Sequence, residues 1–220
     1  MLLYKTRRIR CKWFHALFFL RPVRRSGYNS LCFREVSPLD RPFLKHSCQQ
    51  YTENGIVHMK NDEKTNVMRL LESKKILYTA HTYSPDPSLS GEDIARILGE
   101  DPAFVFKTLV TRGKTGRYYV FVIPVAAELD LKKAARASGE KAVSMIPQKE
   151  LLPLTGYVHG GCSPVGMKKP FPTFLHTSAE RMERIFVSAG RVGFQMEVAP
   201  KDLFFLVSFR YADLVTDTPE

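Results

Sequence analysis

The chain has 220 residues, 44% of them hydrophobic and 25% charged, which allows one well-buried core and excludes low-complexity and disulfide-dense scaffolds. Its formal charge of +11 suggests nucleic-acid binding, but residues 1–58 hold eleven Lys and Arg against Glu35, Asp40 and Glu53, a net +8 that leaves only +3 for the rest. The longest apolar run, Trp13 to Leu20, is interrupted by His15 and falls well short of the roughly 18 residues of a membrane span, so no membrane insertion is expected.

Residues 1–58 are Arg-rich and show no sustained periodicity. They read as an organelle presequence, a basic arm for nucleic acid or membrane, or translated sequence upstream of the real start. The third is favoured: Met59-Lys-Asn-Asp-Glu-Lys64 opens a polar lead-in directly before the first helical pattern. The expected division is a basic, disordered or extraneous 1–58 and a folded domain over 59–220. Cys11, Cys32 and Cys48 all lie upstream and Cys162 stands alone downstream, so the body has no thiol pair. That points to a reducing, cytoplasmic setting.

Val67, Leu70 and Leu71 recur at helical spacing through Lys75, and Ile76 to Tyr83 reads as the following strand. Ser90 ahead of Gly91-Glu-Asp93 predicts a capped helix through Ile94, Ile97 and Leu98 that stops at Gly99. Asp101-Pro102 starts a short helix that delivers Lys107. Lys107–Thr111 and Tyr118–Pro124 flank the turn-rich Arg112-Gly-Lys-Thr-Gly-Arg117 as a hairpin. Asp130 caps a helix that carries Leu131, Ala134 and Ala135 and ends at Gly139. Residues 173–176, 185–188 and 193–198 read as short strands, with a small helix near 178–183 and a last helix over 200–207. Helices interrupt the strands without a strict βαβ rhythm, which predicts an α+β fold.

Lys107 lies among Phe104, Phe106 and Leu109, where a strand lysine gains an anion-binding role or a lowered pKa from desolvation. A solvated strand lysine is the plain alternative. The loop Gly160-Gly-Cys-Ser-Pro164 is more specific. Two glycines let backbone N–H groups approach a phosphate or a developing oxyanion, and Pro164 fixes the exit. Lys168 and Lys169 follow closely and are candidates for a nucleic-acid backbone. Cys162 reads as a small buried thiol rather than a nucleophile, since its only near histidine, His159, need not face it. His81, His159 and His176 show no metal-ligand spacing, and Gly113-Lys-Thr-Gly116 lacks the long glycine loop of a phosphate-binding P-loop.

Taken together, His81-Thr-Tyr83, Phe106-Lys-Thr-Leu109, Leu129-Asp-Leu-Lys-Lys133, Thr155-Gly-Tyr157, Gly160-Gly-Cys-Ser-Pro164, Gly166-Met-Lys-Lys169 and Phe186-Val-Ser-Ala-Gly190 with Gly193 resemble the YbaK/EbsC family. Its members are Cys-tRNA(Pro) deacylases related to the editing domain inserted in bacterial prolyl-tRNA synthetases. The resemblance spans about Val67 to Asp213. It implies a compact mixed unit around a barrel-like sheet, an essential lysine at Lys107, a pocket tyrosine at Tyr83, and a substrate loop formed by Gly160, Gly161, Cys162, Ser163 and Pro164. Members often carry Ile at the position of Cys162, which argues against an enzyme-borne nucleophile. Some carry Asp where this chain has Gln195, so no carboxylate role transfers there.

The activity so implied is trans-editing: release of cysteine from mischarged Cys-tRNA(Pro), and also from Cys-tRNA(Cys), by attack of the substrate's own thiol on its ester. No metal or other cofactor is implied. The expected partners are the aminoacyl-tRNA 3′ end and prolyl-tRNA synthetase, with neither membrane nor DNA. Two other readings stay open at this point: a non-catalytic aminoacyl-tRNA-binding module on the same fold, and a relative that deacylates another small amino acid such as alanine.

Overall fold

The computed structural model describes residues 63–86 and 88–216; the expectations for residues 1–58 and for a start at Met59 lie outside them. Helix α1 (Asn66–Ser73) begins at Thr65, whose hydroxyl accepts from the Met68 amide, and buries Val67, Met68 and Leu71 on one face. Strand β1 (Tyr78–Thr82) follows. Helix α2 (Gly91–Leu98) has the full reciprocal cap between Ser90 and Asp93 and ends on left-handed Gly99, as its sequence predicts. A 3₁₀ turn over Pro102–Phe104 leads into β2 (Phe106–Gly113), which returns as β3 (Tyr118–Pro124). Asp130 caps α3 (Leu131–Ser138), and Gly139 closes it.

β4 (Val143–Met145) and α4 (Gln148–Thr155) come next, neither with a sequence pattern that announced it. After a long loop come β5 (Thr173–His176), a 3₁₀ turn over Thr177–Arg181, β6 (Ile185–Ser188) and β7 (Phe194–Val198). The expected last helix is shorter than its pattern: α5 covers Pro200–Leu203. Beyond it Phe204 and Phe205 are largely exposed, so no buried face sustains the helix, and aromatic residues are only modest helix formers. β8 (Phe209–Ala212) closes the described fold.

The strands form two open sheets. One is a five-stranded sheet in the order β4-β2-β3-β5-β8, antiparallel around β2 and parallel from β3 through β5 to β8. The other is the antiparallel trio β1-β7-β6. One isolated parallel bridge, Val105 to Phe186, joins them. The α+β expectation holds, and the barrel-like sheet takes the form of two sheets that abut without closing.

The main core lies between the sheets, where Phe106, Val110 and Val122 meet Val187, Met196 and the apolar face of α1. Tyr119, Phe121 and Ile123 point the other way and pack under Ala134 and Ala135 of α3, with Phe121 stacked on Phe174 at 5.3 Å. Ala95 and Leu98 of α2 cover a third cluster of Val105, Val125 and Phe186, at the seam of the two sheets.

Candidate functional site

Strand register brings four polar side chains into line. His81 of β1 stands opposite Gln195 of β7, which stands opposite Ser188 of β6. Lys107 and Ser188 each lie two residues beyond the parallel Val105–Phe186 bridge, in the same strand direction. Directly opposed residues, and residues two apart, share a sheet face, so Lys107, Ser188, Gln195 and His81 form one row across β2, β6, β7 and β1. Tyr83, two residues beyond His81, extends the same face. The apolar cluster under α2 forms the floor beside the row.

Lys107 is half-buried and its Nζ donates to the Val125 carbonyl at 3.0 Å. Burial lowers its pKa, opposed by the charges of Glu128 and Glu92. Tyr83 is 8% exposed, and burial pushes its phenol pKa up against hydrogen bonding from the Gly193 backbone and the Gln195 side chain. Gln195 is 5% exposed, and its Oε1 is buried with no hydrogen-bond partner among the described residues. The Ser188 hydroxyl accepts from the Gly190 amide at 3.3 Å.

The glycine loop packs against the turn that joins β6 to β7. Gly160 adopts φ +76°, which favours glycine, and an added Cβ on Gly161 would stand 3.0 Å from the Val192 amide nitrogen, so a side chain there would have to push that backbone back. The Tyr83 amide donates to the Gly193 carbonyl of the same turn at 2.9 Å. Tyr83 and the loop are therefore held together, with Lys107 across β6 from them. Ser163 is fully buried, and its hydroxyl accepts from the Val165 amide at 3.3 Å, so it braces the loop. Pro164 is buried beside it. The Gly161 amide is used by the Val158 carbonyl at 3.1 Å, whereas those of Cys162 and Ser163 have no backbone partner among the described residues.

Burial pushes the Cys162 thiol up to about 12, and the side chain packs against the main core. Such a thiol stays protonated and is no nucleophile. The exposed His159 makes no hydrogen bond with it. Lys168 is drawn to the C-terminal end of α4, where its Nζ donates to the Leu152 carbonyl at 3.4 Å. Lys169 is exposed. Neither belongs to the row.

Sequence reasoning passed over Ser188 and the pair formed by His81 and Glu197. His81 Nε2 lies 3.0 Å from Glu197 Oε2, and Glu197 Oε1 receives the Arg184 guanidinium at 2.6 Å. Burial works to raise the Glu197 pKa and is outweighed by hydrogen bonds from Arg184 and His81 and by their charges, which leave it lowered. The available signal was polar residues alternating with buried apolar ones along three short strands.

Residues 86–206 match the sequence profile of the family described as "Aminoacyl-tRNA editing domain". A protein of Enterococcus faecalis named "Putative Cys-tRNA(Pro)/Cys-tRNA(Cys) deacylase EbsC" is 45% identical over 158 residues, which cover 71% of this chain and 96% of the relative. A solved structure described as "a putative trans-editing enzyme for prolyl tRNA synthetase" is 26% identical with a TM-score of 0.60, covering 69% of this chain and 95% of its own. The structure of a hypothetical protein shares the fold at 21% identity and a TM-score of 0.63, covering 68% and 99%.

Proposed function

The chain belongs to the aminoacyl-tRNA editing domain family, and from that premise we propose that it is a trans-editing deacylase. It releases cysteine from mischarged Cys-tRNA(Pro), and also from Cys-tRNA(Cys). The observation that carries this reading is the Gly160–Pro164 loop pressed against the turn that holds Tyr83, with the half-buried Lys107 alongside. Such a site can orient an ester and stabilise a developing negative charge, and its cysteine, Cys162, is the buried thiol that the sequence suggests rather than a nucleophile.

The nucleophile is then supplied by the cargo. Cysteine and proline are close in size, and a size difference of a methylene gives only about 10–200-fold discrimination. A thiol with an ordinary pKa near ~8.5 offers reactivity in place of size. Its sulfur attacks the ester carbonyl, backbone N–H groups of the glycine loop orient that ester, and Lys107 supplies positive charge nearby. Alanine, serine and proline esters lack the sulfur and survive. The site engages only the 3′ end, and the body carries just +3 of the +11 charge. Selection of tRNA(Pro) therefore falls to a partner, prolyl-tRNA synthetase, in the cytoplasm.

The test is a deacylation panel. The purified full-length protein should release cysteine from Cys-tRNA(Pro) and leave Ala-tRNA(Pro) and Pro-tRNA(Pro) charged. Equal release of alanine would place the nucleophile in water or in the protein. Binding without release of any amino acid would make the protein a recognition module.

A further inference from the structure

Sulfur attack requires that the thiol lose its proton, and the groups on the site face differ in their capacity to take it. A protonated Lys107 has no lone pair. Tyr83 is held in its phenol form by burial. The Ser188 hydroxyl and the Gln195 carbonyl are acceptors but not bases at neutral pH. His81 is different. Its Nε2 faces Glu197 Oε2 at 3.0 Å, and a carboxylate can only accept, so in the neutral ring the proton sits on Nε2 and Nδ1 carries the lone pair. Nδ1 has no partner among the described residues.

The carboxylate is itself fixed. Glu197 Oε1 takes the Arg184 Nη1 at 2.6 Å, and Arg184 Nη2 lies 3.6 Å from Glu100 beyond α2. The imidazole is set edge-on against Phe186, with centroids 5.2 Å apart at 60°. The side chains of His81 and Glu197 are 22% and 17% exposed, so the ring is oriented by its neighbours without being fully enclosed.

Building on the deacylase reading, we propose that His81 is a catalytic residue that takes the proton from the substrate thiol, with Glu197 as its positioning residue. As the sulfur–carbonyl bond forms, the thiol proton passes to His81 Nδ1. As the ester carbon–oxygen bond breaks, the same proton passes to the departing 3′ oxygen. The products are a cyclic thiolactone and a tRNA with a free 3′ hydroxyl. The imidazole is regenerated, and no other reactant is consumed. The charged groups against the ring or its partner are Glu197 on β7, Arg184 ahead of β6 and Glu100 after α2; Tyr83 lies two residues farther along from His81, and Lys107 lies on β2, across β6 and β7.

The test is single-turnover cysteine release from Cys-tRNA(Pro) by wild type, His81→Asn and Glu197→Gln, at pH values on both sides of the thiol pKa of ~8.5. His81→Asn should cut the rate roughly 100-fold on the acid side, and the deficit should shrink at higher pH, where the substrate ionises unaided. Glu197→Gln should show a smaller deficit of the same shape. A loss that is the same at every pH means that His81 only ties β1 to β7, and it overturns the proposal, as does no loss. Melting temperatures recorded alongside expose a variant that fails to fold; the Glu197→Gln profile then decides, and one parallel to wild type overturns the proposal. If wild type releases no cysteine, the deacylase reading falls and takes this one with it. If wild type is active and the profiles are parallel, only the role of His81 falls.

Discussion

Lys107 and Cys162 were both candidates for chemistry, and their surroundings separate them. The lysine amine is held by one carbonyl, that of Val125, at the edge of the polar row, where a ligand anion can compete for it. The cysteine thiol is sealed against the core, and the site needs only its backbone N–H. Lys107→Ala should therefore lower kcat/KM for Cys-tRNA(Pro) by roughly 100-fold with little change in melting temperature. Cys162→Ala keeps the amide and should stay within about threefold of wild type. A dead Cys162→Ala protein of normal stability would return the nucleophile to the enzyme. At this scale the loop was legible, because Gly160 and Gly161 meet a local steric demand that few other residues can satisfy. The pairing of His81 with Glu197 was not. The two are 116 positions apart, and only the β1–β7 register brings them together.

Helix α2 connects local capping to the site. Gly91 opens it, and an added Cβ there would stand 2.5 Å from Val125 Cγ1 and 2.7 Å from Val125 Cβ. The carbonyl of that same valine holds Lys107. Gly91→Ala should cost about 1–3 kcal/mol by forcing Val125 aside, measured by urea denaturation, and should also depress cysteine release. Destabilisation without a change in rate would uncouple helix from lysine. The elements legible in the sequence were those whose ends are made locally: Ser90 with Asp93 and Gly99 for α2, Asp130 and Gly139 for α3. α4 escaped because Pro153 lies inside it and no side chain caps its start, so neither periodicity nor punctuation marks it. β8 escaped because its four residues are held by parallel pairing to β5, a contact that exists only once the chain has folded.

For the molecule as a whole, charge is unevenly distributed along the sequence. Residues 1–58 carry +8 of the +11, and the family match begins after them, at residue 86. We propose that these residues are dispensable for editing. A chain beginning at Met59 should retain deacylation within about threefold and lose most salt-sensitive, non-specific RNA binding. Loss of deacylation on this truncation would give the segment a part in the reaction. The whole-molecule architecture was only partly legible, since alternating patterns predict strands but not which of them share a ladder.

That partition between ladders has one more consequence. Ser188, Gln195 and His81 ride on one hydrogen-bonded trio, whereas Lys107 rides on the other sheet, and on the site side the Val105–Phe186 bridge and the apolar wedge of Ala95 and Leu98 lie between them, over the core that the two sheets share. The ammonium can therefore be advanced or withdrawn relative to the other three by trimming or fattening that wedge, with no ladder broken. The greasy underside of α2 thus acts as the adjusting screw of the site, and drift in its side-chain volumes is a route by which descendants of this scaffold could be retuned to new cargo while every polar residue stays the same.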